Sequence, residues 1–219
     1  MQNPKARGDI MALKIDYAPE TKNTYKITKR KADYNGEVYI SEELFKDGVR
    51  ISRDSFAPVI SDEEVKNLII GNSLLLVAYN AENMQRVGFA ASYYEKNACY
   101  FSSSAIMKTE QGNGLYYIFN RLRIRDGIGN GFNTFTVTTQ NPKVEKGIAS
   151  AMNSFLEEGF IDGYSVQRDP IRGYYGRMLT TEVPRSSDER INRPFSYLNY
   201  GRGDAFYISF LVRKRRKFF

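Results

Sequence analysis

Ala105-Ile-Met-Lys-Thr-Glu-Gln-Gly-Asn-Gly-Leu-Tyr-Tyr-Ile-Phe-Asn120 is the stretch whose reading decides the fold. It opens as the apolar end of a strand, passes through the turn Gln111-Gly112-Asn113-Gly114, and becomes a helix. Leu115, Ile118, Phe119 and Leu122 recur at i, i+3, i+4 and i+7, which marks one apolar helix face. Strand, glycine turn and helix N-terminus form an anion site, because free backbone N–H groups point outward and the helix dipole adds partial positive charge. Two glycines let an anion approach the backbone without a Cβ in the way.

Working backward, Leu74–Tyr79, Val87–Tyr94 and Ala98–Met107 are three strand-length runs joined by the short polar links 80–85 and 95–97, a pattern that predicts an antiparallel meander. Gly88 in the second run permits close backbone approach. Working forward, the helix from Leu115 is expected to end near Asp126. Phe132–Thr139 is a strand, and Asn141-Pro142 caps a helix carrying Val144, Ile148, Ala151, Met152 and Phe155, stopped by Gly159. Strand, helix, strand, helix implies a crossover, so this half of the sheet is partly parallel. Gly127-Ile-Gly-Asn-Gly131 is not a dinucleotide fingerprint, since it follows a helix rather than a strand.

Upstream, Tyr25–Thr28 reads as a short strand and Lys29-Arg-Lys31 as a solvated turn. Glu37–Asp47 reads as a helix stopped by Gly48. Ser61-Asp-Glu-Glu64 is a capping box for a second helix that buries Val65, Leu68 and Ile69. Residues 1–22 lack periodicity and are expected to form a mobile arm. Ile161–Asp204 reads as one long basic loop, followed by a strand over Ala205–Val212 and a basic tail over 213–219.

Composition narrows the chemistry. The 219 residues suffice for one well-cored domain. There is no histidine, which removes Ser-His and Cys-His nucleophile pairs and His-based zinc sites, and no metal site is expected. A single cysteine, Cys99, forms no intramolecular disulfide. The longest apolar run, Leu74–Tyr79, cannot span a bilayer, and the polar N-terminus lacks the apolar core of a secretory signal. A cytoplasmic protein with no membrane partner is the expectation. Between Arg168 and Lys217 there are twelve Lys/Arg and five Asp/Glu, an excess equal to the whole net charge of +7.

The order strand, two helices, three-strand meander, turn-helix, strand, helix, final strand resembles the GCN5-related N-acetyltransferase (GNAT) superfamily. Gln111-Gly-Asn-Gly114-Leu-Tyr116 matches that family's (Arg/Gln)-x-x-Gly-x-(Gly/Ala) at Gln111 and Gly114 and departs from it at Tyr116. Phe155-Leu-Glu-Glu-Gly159-Phe160 is similar to its closing Tyr-Glu-Lys-x-Gly-Phe. The resemblance covers roughly 25–160. It implies an α+β domain over 23–219, with a GNAT-like mixed, mostly antiparallel central sheet flanked by helices on both faces.

The implied activity is N-acyl transfer from acetyl-CoA, or another acyl-CoA, to a small-molecule or protein amine by direct attack. The backbone of Gln111, Gly112, Asn113, Gly114 and Leu115 would cradle the CoA pyrophosphate. Ser104, Ile106 and Met107 would pair with the pantetheine arm, and a strand amide near Ser104 or Ile106 would serve the oxyanion. The family's CoA-contacting asparagine falls on Ile148; Asn141 is the candidate substitute, and it reads equally as a helix cap. Ser104, Tyr116 and Glu110 are the candidate catalytic residues, with Glu95 and Tyr94 as positional candidates that also read as solvated. The family's general-acid tyrosine falls on Phe155. Two other readings stand beside this one. In the first, a catalytically degenerate CoA-binding or interaction protein acts through its basic tail. In the second, a nucleic-acid-associated enzyme of the same fold uses the basic C-terminal region, with Tyr174, Tyr175, Phe195, Tyr197 and Tyr200 interleaved among arginines to hold nucleic acid or an acidic partner. An ordinary loop packing its aromatics on the sheet accounts for the same mixture.

Overall fold

The computed structural model describes residues 11–13, 24–32, 38, 40–56 and 60–214. In chain order the elements are β1 (Met11–Leu13), β2 (Tyr25–Lys31), α1 (Glu42–Ser55), α2 (Asp62–Ile69), β3 (Leu74–Asn80), β4 (Arg86–Glu95), β5 (Ala98–Ile106), α3 (Leu115–Gly129), β6 (Thr134–Thr139), α4 (Pro142–Glu157), β7 (Ile161–Ile171), α5 (Glu189–Phe195) and β8 (Ala205–Lys214). The strands make one sheet in the order β1-β2-β3-β4-β5-β6-β8-β7. Among the described residues only β5 and β6 run parallel, and the other pairs are antiparallel. The meander and the partly parallel second half are therefore as the sequence predicts. The chain is α+β, a mixed sheet flanked by helices.

Alternation along the strands sends side chains to two faces. Leu75, Val77, Phe89, Ala91 and Ala105 pack with Leu44, Ile51, Val65 and Ile69 of α1 and α2. Leu74, Leu76, Ala78 and Ala90 pack on the other face with Leu115, Ile118 and Phe119 of α3. A third group joins β5, β6 and β8 to α4 through Phe135, Ile148, Met152, Phe155, Ile208 and Phe210.

Several expectations are corrected. The helix after residue 40 is not stopped by Gly48; α1 runs through it to Ser55. Gly48 is the contact point with α2, where a Cβ would overlap Ile69 Cδ1. Likewise α3 continues to Gly129, and Gly127 lies within 2.5 Å, measured from a built Cβ, of Phe135 Cε1. Lys29–Lys31 are part of β2 rather than a solvated turn, and Lys29 and Lys31 both pair with the buried Asp126. Residues 161–204 are not one loop: they hold β7, the connection 172–188 and α5. Met11–Leu13 add an edge strand within the stretch read as an arm. The other residues of 1–22, and 215–219 of the basic tail, lie outside the described residues.

Candidate functional site

The site begins where β5 and β6 part. Their parallel pairing joins Ala98–Tyr100 to Thr134–Thr136 and goes no further. At the same point β5 bulges: Ala91 pairs with Ser103 and Tyr93 with Tyr100, so Phe101 and Ser102 together oppose Ser92. A bulge adds a residue, bends its strand and raises its twist, which turns the rest of β5 away from β6. The result is a V-shaped gap between Phe101–Ile106 and Val137–Thr139.

Ladder parity identifies the backbone groups facing this gap. Met107 N–H donates to Val87 O at 2.9 Å, so Met107 faces β4. Because antiparallel pairs alternate between bonded and non-bonded, Ile106 and Ser104 turn their N–H and C=O toward the gap. Of the three residues expected along the pantetheine arm, Ser104 and Ile106 are edge residues, and Met107 is not. The Ile106 groups are already engaged: its N–H donates to Ser55 Oγ at 3.4 Å, and its C=O accepts from Gln111 Nε2 at 3.0 Å. The Ser104 hydroxyl donates to Ser103 O at 2.8 Å.

Below the open end of the gap lies the turn. Gly112 and Gly114 both take positive φ, 83° and 79°, which favours glycine. Gly114 is the N-cap of α3 and offers no side chain to the first amides; no acid sits in the first turn. A Cβ built on Gly112 meets nothing within 4 Å, so the backbone there lies open. Gln111, Gly112 and Gly114 are exposed, Asn113 half-buried and Leu115 buried. Leu115 anchors the helix and the Gln111 N–H is taken by Lys108 O at 3.2 Å, while the exposed Gly112 and Gly114 leave the helix start open, a geometry suited to a phosphate group.

Three other candidates lie elsewhere. Glu110, 8% exposed, accepts from the Tyr25 hydroxyl at 2.7 Å. Tyr25 starts β2, three strands from β5 on the side opposite the gap, so Glu110 is not placed as a base for chemistry there. Tyr94 donates to Asp126 and is likewise structural. Asn141 accepts from Lys143 N–H at 2.9 Å and is the cap of α4. Tyr116 neither enters the gap nor narrows the turn. Its ring packs against Gly147 of α4, where a built Cβ would lie 2.5 Å from Tyr116 Cδ1. Burial raises the pKa of its hydroxyl, which neighbours Asn120 and Arg123.

Sequence reading missed Arg123 and named Tyr175 only among the aromatics offered for nucleic acid. Arg123 is 1% exposed. Its guanidinium donates to Ala91 O at 3.3 Å, Ser103 O at 3.2 Å and Asn120 Oδ1 at 2.5 Å, and lies 4.1 Å from the Phe101 ring centroid. It therefore clips β4 to β5 at the bulge. Tyr175 stands in the connection 172–188 and donates to Thr138 O at 2.7 Å. Phe155, at 2% exposure, lies in the core, its ring 5.2 Å from that of the exposed Phe160, and has no hydroxyl to offer.

Four arginines of the C-terminal quarter are paired with acids within the chain. Arg168 pairs with Glu145, Arg177 with Glu64, Arg190 with Asp188 and Arg202 with Asp204. Of the five interleaved aromatics only Tyr174 and Tyr197 are exposed; Phe195 is buried in the core. The mixture is mostly packing, as the plainer reading held. Among the described residues no cluster suits a metal ion, and no helix is long and apolar enough to cross a membrane.

The sequence matches no protein-family description and no curated protein. Solved structures do match. The ribosomal-protein-S18-alanine N-acetyltransferase from Escherichia coli superposes with a TM-score of 0.55 at 12% identity, over 88% of this chain and 98% of that one. A candidate phosphinothricin N-acetyltransferase superposes at 0.50 with 12% identity, over 86% and 99%. With the splayed β5–β6 pair and the glycine turn leading into α3, these matches identify the fold: it is that of the GCN5-related N-acetyltransferases.

Proposed function

We propose that this chain is an acyl-CoA-dependent N-acyltransferase that moves an acetyl group from acetyl-CoA to an amine by direct attack. One observation carries the reading: the gap that opens after Tyr100 runs along Ser104 to an uncapped helix N-terminus at 112–115. A long donor with an anionic head and an amide-bearing arm matches that succession. The pyrophosphate would meet the amides of 112–115, the arm would pair with the Ser104 edge, and the thioester would sit toward the vertex of the gap. Acyl-CoA supplies an activated carbonyl, so the protein has to position the amine and stabilise the developing oxyanion. The Ser104 N–H fits that second role by its direction. Lys108 N–H is held by Asp54 and Ile106 N–H by Ser55, so the end of α1 must yield slightly to a bound arm.

Thermal stabilisation by CoA and acetyl-CoA tests the binding half. At a hundredfold excess over Kd, a ligand specific for the folded state adds about 2.7 kcal/mol. Thiol release with a panel of polyamines, arylalkylamines and short peptides then separates an enzyme from a silent binder. A chain that gains no stability from millimolar CoA is not of this activity.

A further inference from the structure

Transfer from a thioester to an amine forms a C–N bond and breaks a C–S bond. The amine nitrogen loses a proton and the departing sulfur must gain one. A group that supplies this proton has to lie in the gap itself. Side chains of β5 and β6 leave by the two sheet faces, so they do not enter the plane between the strands. A group from outside those strands can.

Tyr175 meets that condition. Val212 N–H donates to Asn133 O, which fixes the β6–β8 parity: residues 133, 135, 137 and 139 face β8, and the C=O of Thr138 faces the gap. The Tyr175 hydroxyl donates to that carbonyl at 2.7 Å. It therefore lies in the plane of the gap, opposite the Ser104 edge. The main chain that carries the ring is held from both sides. Tyr175 N–H donates to Gly203 O at 3.0 Å, Gly173 N–H to Asp204 Oδ1 at 2.9 Å, and Gly203 packs so tightly on Gly176 and Arg177 that no Cβ would fit. Beyond it, Arg177 reaches Glu64 of α2 at 2.6 Å, so the connection straps across the gap. Burial raises the pKa of the hydroxyl, so it is protonated at neutral pH but is a weaker acid than a free tyrosine, and its proton passes only as negative charge builds on the departing sulfur.

Resting on the proposed acyl transfer, we infer that Tyr175 is the catalytic proton donor to the leaving thiolate. Its O–H swings from Thr138 O to the sulfur as the C–S bond breaks. The resulting phenolate recovers a proton from the acylated ammonium, directly or through water, and the books of atoms and charge close without a further reactant.

Tyr175→Phe is the test, measured as acetyl-CoA stabilisation and as thiol release with the best amine of the panel or with water alone. The expected result is an acetyl-CoA concentration for half-maximal stabilisation within threefold of the parent, and kcat lower by roughly 10²-fold or more. Arg177→Ala, which frees the strap from α2 and leaves the hydroxyl in place, is the companion variant. Retained turnover in Tyr175→Phe overturns the assignment. Equal losses in Tyr175→Phe and Arg177→Ala overturn it too, because the hydroxyl is then only a strap anchor. Absence of any acetyl-CoA stabilisation in the parent chain removes the acyl-transfer reading itself, and this inference with it.

Discussion

Gly147→Ala in α4 is expected to be destabilising in this chain and stabilising once Tyr116 is gone. A Cβ at 147 would stand 2.5 Å from Tyr116 Cδ1 and closer still to Cε1. Relaxed carbon contacts lie at about 3.5–4.0 Å. The ring must therefore move by about 1 Å, yet it is wedged between α3 and α4 beside Asn120, whose Nδ2 would itself be 3.3 Å from the new methyl. Overpacking of this kind costs about 1–3 kcal/mol. Against it stands a gain of about 1 kcal/mol for replacing glycine in a helix interior. The net expectation is a loss of roughly 0–2 kcal/mol. In a Tyr116→Ala background the clash vanishes and the gain of about 1 kcal/mol remains. The coupling between the two positions is then about 1–3 kcal/mol, within the range for residues in contact. Urea unfolding of the four proteins, followed by far-UV circular dichroism, measures it. An equal effect of Gly147→Ala in both backgrounds would show that Tyr116 does not fill the space left by Gly147.

Gly48→Ala should behave differently from Gly147→Ala. The obstructing atom is the mobile end of Ile69, beside a small void lined by Leu44, Ile51, Leu75, Val77 and Phe89, so the change should be neutral or stabilising by up to about 1 kcal/mol in the same denaturation assay. The Cys99 thiol, buried and pushed up to about 12, should not react with Ellman's reagent in the native protein and should titrate as one thiol in denaturant. Native labelling would place Cys99 at the surface. Asp204 is held below the ordinary carboxylate pKa, first by Arg202 and then by the amides of Gly173 and Asn199. Its folded pKa is depressed, so the stabilisation it gives is present above the unfolded value near 4 and is lost as pH falls below it. Hydrogen exchange should show residues 173–178 losing protection in acid before the sheet does; simultaneous loss would argue that Asp204 does not hold the strap.

What the sequence made legible was local. The meander, the capping box and the turn at 111–114 each depend on residues within a few positions of one another. The misreadings share a cause in tertiary packing. Gly48 and Gly127 carry the same letter as a helix stop, yet each is small because another side chain presses on it. Ile161–Ile171 went unread as a strand because β7 is the sheet edge. An edge strand tolerates Pro170 and stays polar on its open side, which weakens the pattern that marks a central strand. Lys29–Lys31 looked solvated because their partner, Asp126, is about a hundred residues away. The same division runs through the site. The glycine turn is contiguous and was read; Arg123 bonds across the sheet and left no local signal, and Tyr175 was read only as one of the interleaved aromatics because its partner, Thr138 O, is distant in sequence.

The strap's anchors are of unequal strength, and this bears on how an acceptor would reach the gap. At its base Asp204 accepts from Arg202 and from two backbone amides, a charge-assisted set that ties 173 to 199–204. Further along, Gln140 bonds both Arg177 O and Leu179 N–H. The outermost tie, Arg177 to Glu64, joins two side chains each more than 40% exposed, and surface pairs of that kind contribute about 0–1 kcal/mol. Opening should therefore start at the α2 end and leave the base in place. A hinge there would lift the strap while Tyr175, bound at its own amide to Gly203 close to the fixed base, moves least. The acceptor's entry and the hydroxyl's position can then be set by separate parts of one connection, and the former can vary with the residues of 177–188 without displacing the latter.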